Sequence, residues 1–299
     1  MTVGLSSGEQ RARVGDIELC YETFGDRSLP ALLLVMGLNS QMVLWEDEFC
    51  DRLAGKGFWV IRFDNRDCGR STILRDKPIP TRMQLLLRHP RGAAYSLEEM
   101  ADDAAGLLDV LEVESAHVVG VSMGGMISQL VAIRHPERVR SLVSIMSTTG
   151  NRRVGRPSPR LVSHLMRRVP RDREGYIRDF VTTWKTIGSP RYHDPARLRV
   201  QAERCYERGI HPAGSARQLA AIVTAQDRTP QLKKLDMPTT VIHGDVDPLV
   251  NPSGGRATAQ AIPGARLVII PGMGHDLPPP LWDQIIEEIE AATARAVRA

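Results

Sequence analysis

Short apolar runs alternate with helical patterns through the first half of the chain. Residues 31–36 (ALLLVM) and 58–63 (FWVIRF) are short, apolar and bounded by glycine or polar turns, which predicts buried strands. Residues 97–111 place Leu97, Met100, Ala104, Leu107, Leu108 and Leu111 at helical spacing. Ser96, ahead of Glu98 and Glu99, supplies that helix with a cap and first-turn acids. Further strands are predicted at 117–121 and 139–146, with a helix over 123–135 that stops before Pro136. Alternation of this kind builds a parallel sheet with helices on both faces.

The pattern lapses between Gly150 and Asp227, where no strand-like run occurs. Helical stretches at 160–168, 175–186, 195–208 and 215–226 fill the interval, punctuated by prolines. Strands resume at 239–243 and 265–270, with helices at 254–262 and 281–295. The chain therefore divides into a core of residues 1–149 and 228–299 and a helical subdomain, 150–227, inserted between two strands. A smaller irregularity, residues 78–95, follows the second buried strand and emerges at the carboxyl edge of the sheet, where α/β sheets bind ligands. It is read either as a helix covering the sheet or as a rim for acyl chains or lipid. The rim would set Met83, Leu85, Leu86 and Leu87 among Arg82, Arg88 and Arg91.

The length, 299 residues, suits one large α/β domain with such an insertion. A chain 42% hydrophobic and 25% charged is neither disordered nor collagen-like. No apolar run approaches the roughly 18 residues of a membrane-spanning helix. The first thirteen residues lack the apolar stretch of a signal peptide, so a cytoplasmic location is expected. Cys20, Cys50, Cys68 and Cys205 lie far apart with no CxxC pair, which points to a reducing compartment and to neither zinc nor disulfides. The net charge of +4 conceals two opposite parts. Residues 150–234 carry 19 basic and 7 acidic side chains, and the remainder carries 20 and 28. The basic part is either a solvated face or an attraction to an anionic substrate or lipid surface. No recognition motif accompanies the charge, which sets nucleic acid aside.

The strongest chemical signal is Gly120-Val121-Ser122-Met123-Gly124, a G-x-S-x-G run between a β-branched strand and a helix. A nucleophile on so sharp a turn needs small neighbours, which Gly120 and Gly124 provide. The helix from Met123 points its first N–H groups at any developing oxyanion. A serine hydroxyl needs a base to attack a carbonyl. Of eight histidines, His275 stands out: it lies in Pro271-Gly272-Met273-Gly274-His275-Asp276, after the last strand and at the same sheet edge as Ser122. His135, His164, His193, His211 and His243 are read as structural. The orienting acid belongs between serine and histidine in the chain, and Asp245 and Asp247 are the candidates. Asp247 lies deeper in its loop with more reach, whereas Asp245 suits a turn residue that bonds backbone N–H groups. Asp276 is expected to shape its own loop. Two backbone N–H groups are needed for the oxyanion, one from Met123 and one from Leu38 in the loop Met36-Gly37-Leu38-Asn39.

Together these residues resemble the α/β-hydrolase superfamily over nearly the whole chain. The run Asp64-Asn65-Arg66-Asp67-Cys68-Gly69-Arg70-Ser71 looks like the family loop D-x-R-G-x-G-x-S, with Asp67 in place of the first glycine. Met36-Gly37 stands where many members have His-Gly. Both departures, with Trp45 and the Pro-Gly-Met-Gly-His run, resemble the actinobacterial carboxylesterases that include the anthracycline (aclacinomycin) methyl esterases. The resemblance implies an α/β-hydrolase fold, a Ser122, Asp247 and His275 triad, oxyanion donors at Leu38 and Met123, and a lid at 150–227. It implies a serine esterase acting on a small-molecule ester without metal or cofactor, with peripheral contact to anionic lipid a further expectation. Haloalkane dehalogenases and epoxide hydrolases of the superfamily carry Asp where this chain has Ser122. Cofactor-free haloperoxidases share the serine triad and remain the alternative, with a non-catalytic small-molecule receptor on the same fold as a second.

Overall fold

Among the residues that the computed structural model describes, 6–89, 93–161 and 170–297, eight strands form one sheet. They are β1 (Gln10–Val14), β2 (Ile17–Phe24), β3 (Ala31–Val35), β4 (Trp59–Phe63), β5 (Ala116–Val121), β6 (Val139–Ile145), β7 (Thr239–Gly244) and β8 (Arg266–Ile270). Their order across the sheet is 1-2-4-3-5-6-7-8. From β4 to β8 all pairing is parallel, whereas β1 and β2 form a hairpin that runs antiparallel against β4. The strands expected from residue 31 onward are all present. The hairpin adds an edge that apolar runs do not announce: in β1 only Ala12 is buried, between exposed Arg11 and Arg13.

Helices α1 (Asp47–Gly55), α2 (Arg82–Leu86), α3 (Leu97–Val110), α4 (Met123–Arg134), α5 (Arg173–Ile187), α6 (Pro195–Arg208), α7 (Pro212–Thr224), α8 (Thr229–Leu232), α9 (Ser253–Ala261) and α10 (Trp282–Val297) surround it. Alternation along the central strands divides the core into two layers. Leu33, Val35 and Val118 pack with Leu107 of α3 and Ile127 of α4. Leu32, Leu34 and Val119 turn to the other face, against Phe49 of α1 and Ile285 and Ile289 of α10. Both faces of β3 are thus covered, which is why it reads as an unbroken apolar run. The cap expected ahead of α3 is a reciprocal capping box: Ser96 Oγ accepts from Glu99 N–H, and the Glu99 carboxylate accepts from Ser96 N–H.

Helices α5, α6 and α7 occupy the interval between β6 and β7. The helix expected at 160–168 falls almost wholly outside the described residues. Tyr176, Ile177, Ala202 and Cys205 from this interval pack on Met42 and Val43 of the core. The end of the 78–95 segment packs on the sheet, where Tyr95 is buried in the core. The segment also holds the short α2 and leaves Ile79, Met83, Leu86 and Leu87 exposed, Leu86 at 76%; Arg91 lies outside the described residues. All four cysteines are buried free thiols. No helix among the described residues is long and apolar enough to cross a membrane.

Candidate active site

Ser122 lies between the end of β5 and the start of α4 with φ 58° and ψ −119°, in the left-handed region. A non-glycine residue is strained there and persists only where its surroundings enforce it. Here Ser122 N–H donates to the Ile145 carbonyl at 2.9 Å, and the Ser122 carbonyl accepts from Ser147 Oγ at 2.8 Å. The flanking glycines are sterically required. A Cβ on Gly120 would stand 2.2 Å from the Gly124 carbonyl oxygen, and one on Gly124 would stand 2.0 Å from that of Val35.

The structure brings Ser122, His275 and Asp247 into one hydrogen-bonded row. His275 Nδ1 is 2.7 Å from Asp247 Oδ2, and His275 Nε2 is 2.9 Å from Ser122 Oγ. The buried carboxylate sets the tautomer: Nδ1–H donates to it, and Nε2 accepts from the Ser122 hydroxyl. The other Asp247 oxygen accepts from Leu249 N–H and Val250 N–H at 2.8 and 2.9 Å, which fixes the carboxylate plane. Burial by itself would raise the Asp247 carboxyl. His275, and after it His243, outweigh burial and hold it well below the ordinary carboxylate range. Asp245 takes the turn role: it accepts Gly272 N–H at 2.7 Å. His243 is fully buried, with Nε2 2.7 Å from the Val250 carbonyl and 3.4 Å from Asp247. The imidazole therefore braces the turn that carries the acid. His117, His135 and His211 bond Ser141, Asp102 and the Gly69 carbonyl, while His164 is outside the described residues.

The loop after β3 reaches the same point. A Cβ on Gly37 would lie 3.2 Å from Ser122 Cβ, so this loop passes directly against the serine. Asn65 Nδ2 holds the Met36 carbonyl at 2.9 Å, and Ser40 N–H closes a turn onto the Gly37 carbonyl at 3.2 Å. Leu38 N–H and Met123 N–H have no intramolecular acceptor among the described residues.

The interval between β6 and β7 touches every one of these loops. His275 N–H donates to the Ile187 carbonyl at 2.8 Å, and Gly274 N–H donates to Ser189 Oγ at 2.8 Å. Asp276 does more than shape its own loop, because it accepts from both the N–H and the Oγ of Ser189. Buried ion pairs join the two parts, and these the sequence reading missed. Arg217 makes a two-pronged pair with Asp67, Nε to Oδ2 at 2.7 Å and Nη2 to Oδ1 at 2.6 Å. Arg208 pairs with Asp64 and Glu9. At the exposed edge of the contact Arg204 pairs with Asp47 at 2.9 Å, and half-buried Arg197 pairs with Glu46. Burial pushes the Asp64 carboxyl up to about 6, against the N–H groups of Arg70 and Met42, and pushes Arg208 down to about 10. The basic and acidic halves of the chain thus meet each other across their boundary. Part of the charge read as a solvated face or an anion attractor is spent on this contact. The signal was present in the opposite charges, but their pairing could not be read from spacing.

The family profile described as alpha/beta hydrolase fold matches residues 30–278. Rhodomycin D methylesterase DauP of Streptomyces sp. (strain C5) is 31% identical, over 94% of this chain and 96% of that one. Rhodomycin D methylesterase DnrP of Streptomyces peucetius is 30% identical over the same shares. The expected resemblance to actinobacterial esterases is met by this pair. Among solved structures, the enol-lactonase from Burkholderia xenovorans LB400 superposes with a TM-score of 0.73 at 24% identity, over 95% of this chain and 100% of that one.

Proposed function

The chain belongs to the alpha/beta hydrolase fold family, and we propose that it is a serine hydrolase cleaving carboxylic esters through an acyl-enzyme. The observation that carries this reading is the row Ser122 Oγ, His275 Nε2, His275 Nδ1, Asp247 Oδ2, anchored on a strained serine at the head of α4. His275 Nε2 takes the hydroxyl proton as Ser122 Oγ bonds to the ester carbonyl carbon. The resulting oxyanion lies between Leu38 N–H and Met123 N–H, each worth about 3–4 kcal/mol of barrier. Collapse expels the alcohol, which leaves with the proton from Nε2. Water then attacks the acyl carbonyl, gives its proton to His275, and releases the acid and free Ser122. Asp247 holds Nδ1–H throughout and stabilises the imidazolium.

In this reading α5, α6 and α7 act as a lid, a role supported by their contacts to the His275 and Leu38 loops. The two methylesterase relatives make a methyl ester the first substrate to test. Exposed Ile79, Met83, Leu86 and Leu87, interleaved with Arg82 and Arg88, support a peripheral contact of this rim with anionic lipid. A fluorophosphonate probe should label Ser122, and Ser122→Ala should abolish both labelling and hydrolysis of methyl and p-nitrophenyl esters without loss of fold. Full activity in folded Ser122→Ala would overturn the assignment.

A further inference from the structure

One residue of α7 buries its amide against two loops of the core. Gln218 is fully buried. Its Oε1 accepts Asn39 N–H at 2.9 Å, and its Nε2 donates to the Arg66 carbonyl at 2.8 Å. The two contacts admit only one orientation of the amide, because one partner is a donor and the other an acceptor. A turn away, Ser215 Oγ donates to the Asn39 side-chain oxygen, and Arg217 anchors the helix through Asp67.

Asn39 follows Leu38, the residue whose N–H faces the serine in the mechanism above. The turn from Gly37 to Ser40 is closed by Ser40 N–H on the Gly37 carbonyl, which sets the peptide plane carrying Leu38 N–H. The next plane, Leu38–Asn39, is the central peptide of that turn and the one prone to flip. Asn39 stands at φ 55°, a left-handed conformation that only its surroundings hold, so freeing its N–H would let this plane flip, open the turn and carry Leu38 N–H out of place. Gln218 occupies the only N–H of that plane. We propose that Gln218 is a positioning residue for the oxyanion loop, so that the seating of α7 on the core aims Leu38 N–H at the reacting carbonyl. Lid docking and oxyanion stabilisation are then one event. This inference rests on the serine hydrolase reading.

The test compares wild type, Gln218→Met and Gln218→Glu on a p-nitrophenyl ester, with a trifluoromethyl ketone whose hemiketal oxyanion fills the same hole. Deleting an oxyanion donor lowers kcat by about 10²–10³, so loosening one should lower it by about 10–100-fold. In Gln218→Met, kcat should fall by that factor and ketone affinity should fall with it, while KM changes less than about threefold. Gln218→Glu, whose buried carboxyl is kept protonated by the Arg66 carbonyl opposite it, keeps an acceptor for Asn39 N–H and a donor for Arg66, and should regain most of the loss. Independently, wild-type Asn39 N–H should resist hydrogen exchange although Asn39 is exposed. That measurement stands if Gln218→Met does not fold, and rapid exchange at Asn39 overturns the proposal. So does a folded Gln218→Met with unchanged kcat, or with a raised KM alone, beside an active wild type. A wild type that cleaves no ester and leaves Ser122 unlabelled overturns the hydrolase reading instead, and this proposal with it.

Discussion

Replacing Asp67 by asparagine should loosen the seam between core and insertion more than any surface change. Asp67 and Arg217 are 2% and 1% exposed, and two short bonds join them. Removing one partner of such a pair leaves the other charge buried and uncompensated, at about 3–5 kcal/mol. At roughly 2 °C per kcal/mol for a chain of this size, melting should fall by about 6–10 °C. The pH dependence has a definite sign. Burial would raise the Asp67 carboxyl, but the hydrogen bond from Arg217 outweighs it and holds the group below its usual 3.8. On acidification the unfolded chain therefore takes up this proton first. The stabilisation is complete above about pH 4 and fades as pH falls below that. Asp67→Asn should flatten that acid limb. The assay is urea unfolding followed by tryptophan fluorescence, for Asp67→Asn, Arg217→Met and both together. The double variant should cost clearly less than the sum of the singles, a coupling of about 2 kcal/mol or more. Single costs below about 1 kcal/mol, or strictly additive ones, would refute a buried pair as the fastening.

Asp247→Asn should keep the bonds from Leu249 and Val250 but present an amide donor to His275 Nδ1, which favours the wrong tautomer; kcat should fall by about 10³–10⁴ in a folded protein. Asp245→Asn should leave kcat within a few-fold, and the larger loss falling on Asp245→Asn would exchange their roles. The exposed rim at 79–88 should co-sediment with anionic vesicles at low salt and release as salt rises, whereas Leu86→Asp/Leu87→Asp should not bind. Equal binding by that variant would remove the rim as the contact.

What the sequence by itself determined is local. The parallel strands were legible because each is a short apolar run closed by glycine or polar residues, and the turn at Ser122 because its glycines leave no room for a Cβ. The placement of Ser122, Asp247 and His275 after the ends of β5, β7 and β8 followed from the same alternation. The edge hairpin was not legible: one buried residue in five is too weak a pattern in β1, and Glu18, Glu22 and Thr23 break the apolar run of the mostly buried β2. Nor were the pairs that join the insertion to the core, although the charge imbalance was plain. Arg217 and Asp67 are 150 residues apart in the chain, as are 144 between Arg208 and Asp64. Gln218 and Asn39 are separated by 179. Period and spacing describe what a segment does with its neighbours a turn or a strand away. Which buried charge meets which, and which amide grips the loop after β3, depends on how whole layers stack, and only the tertiary structure decided it.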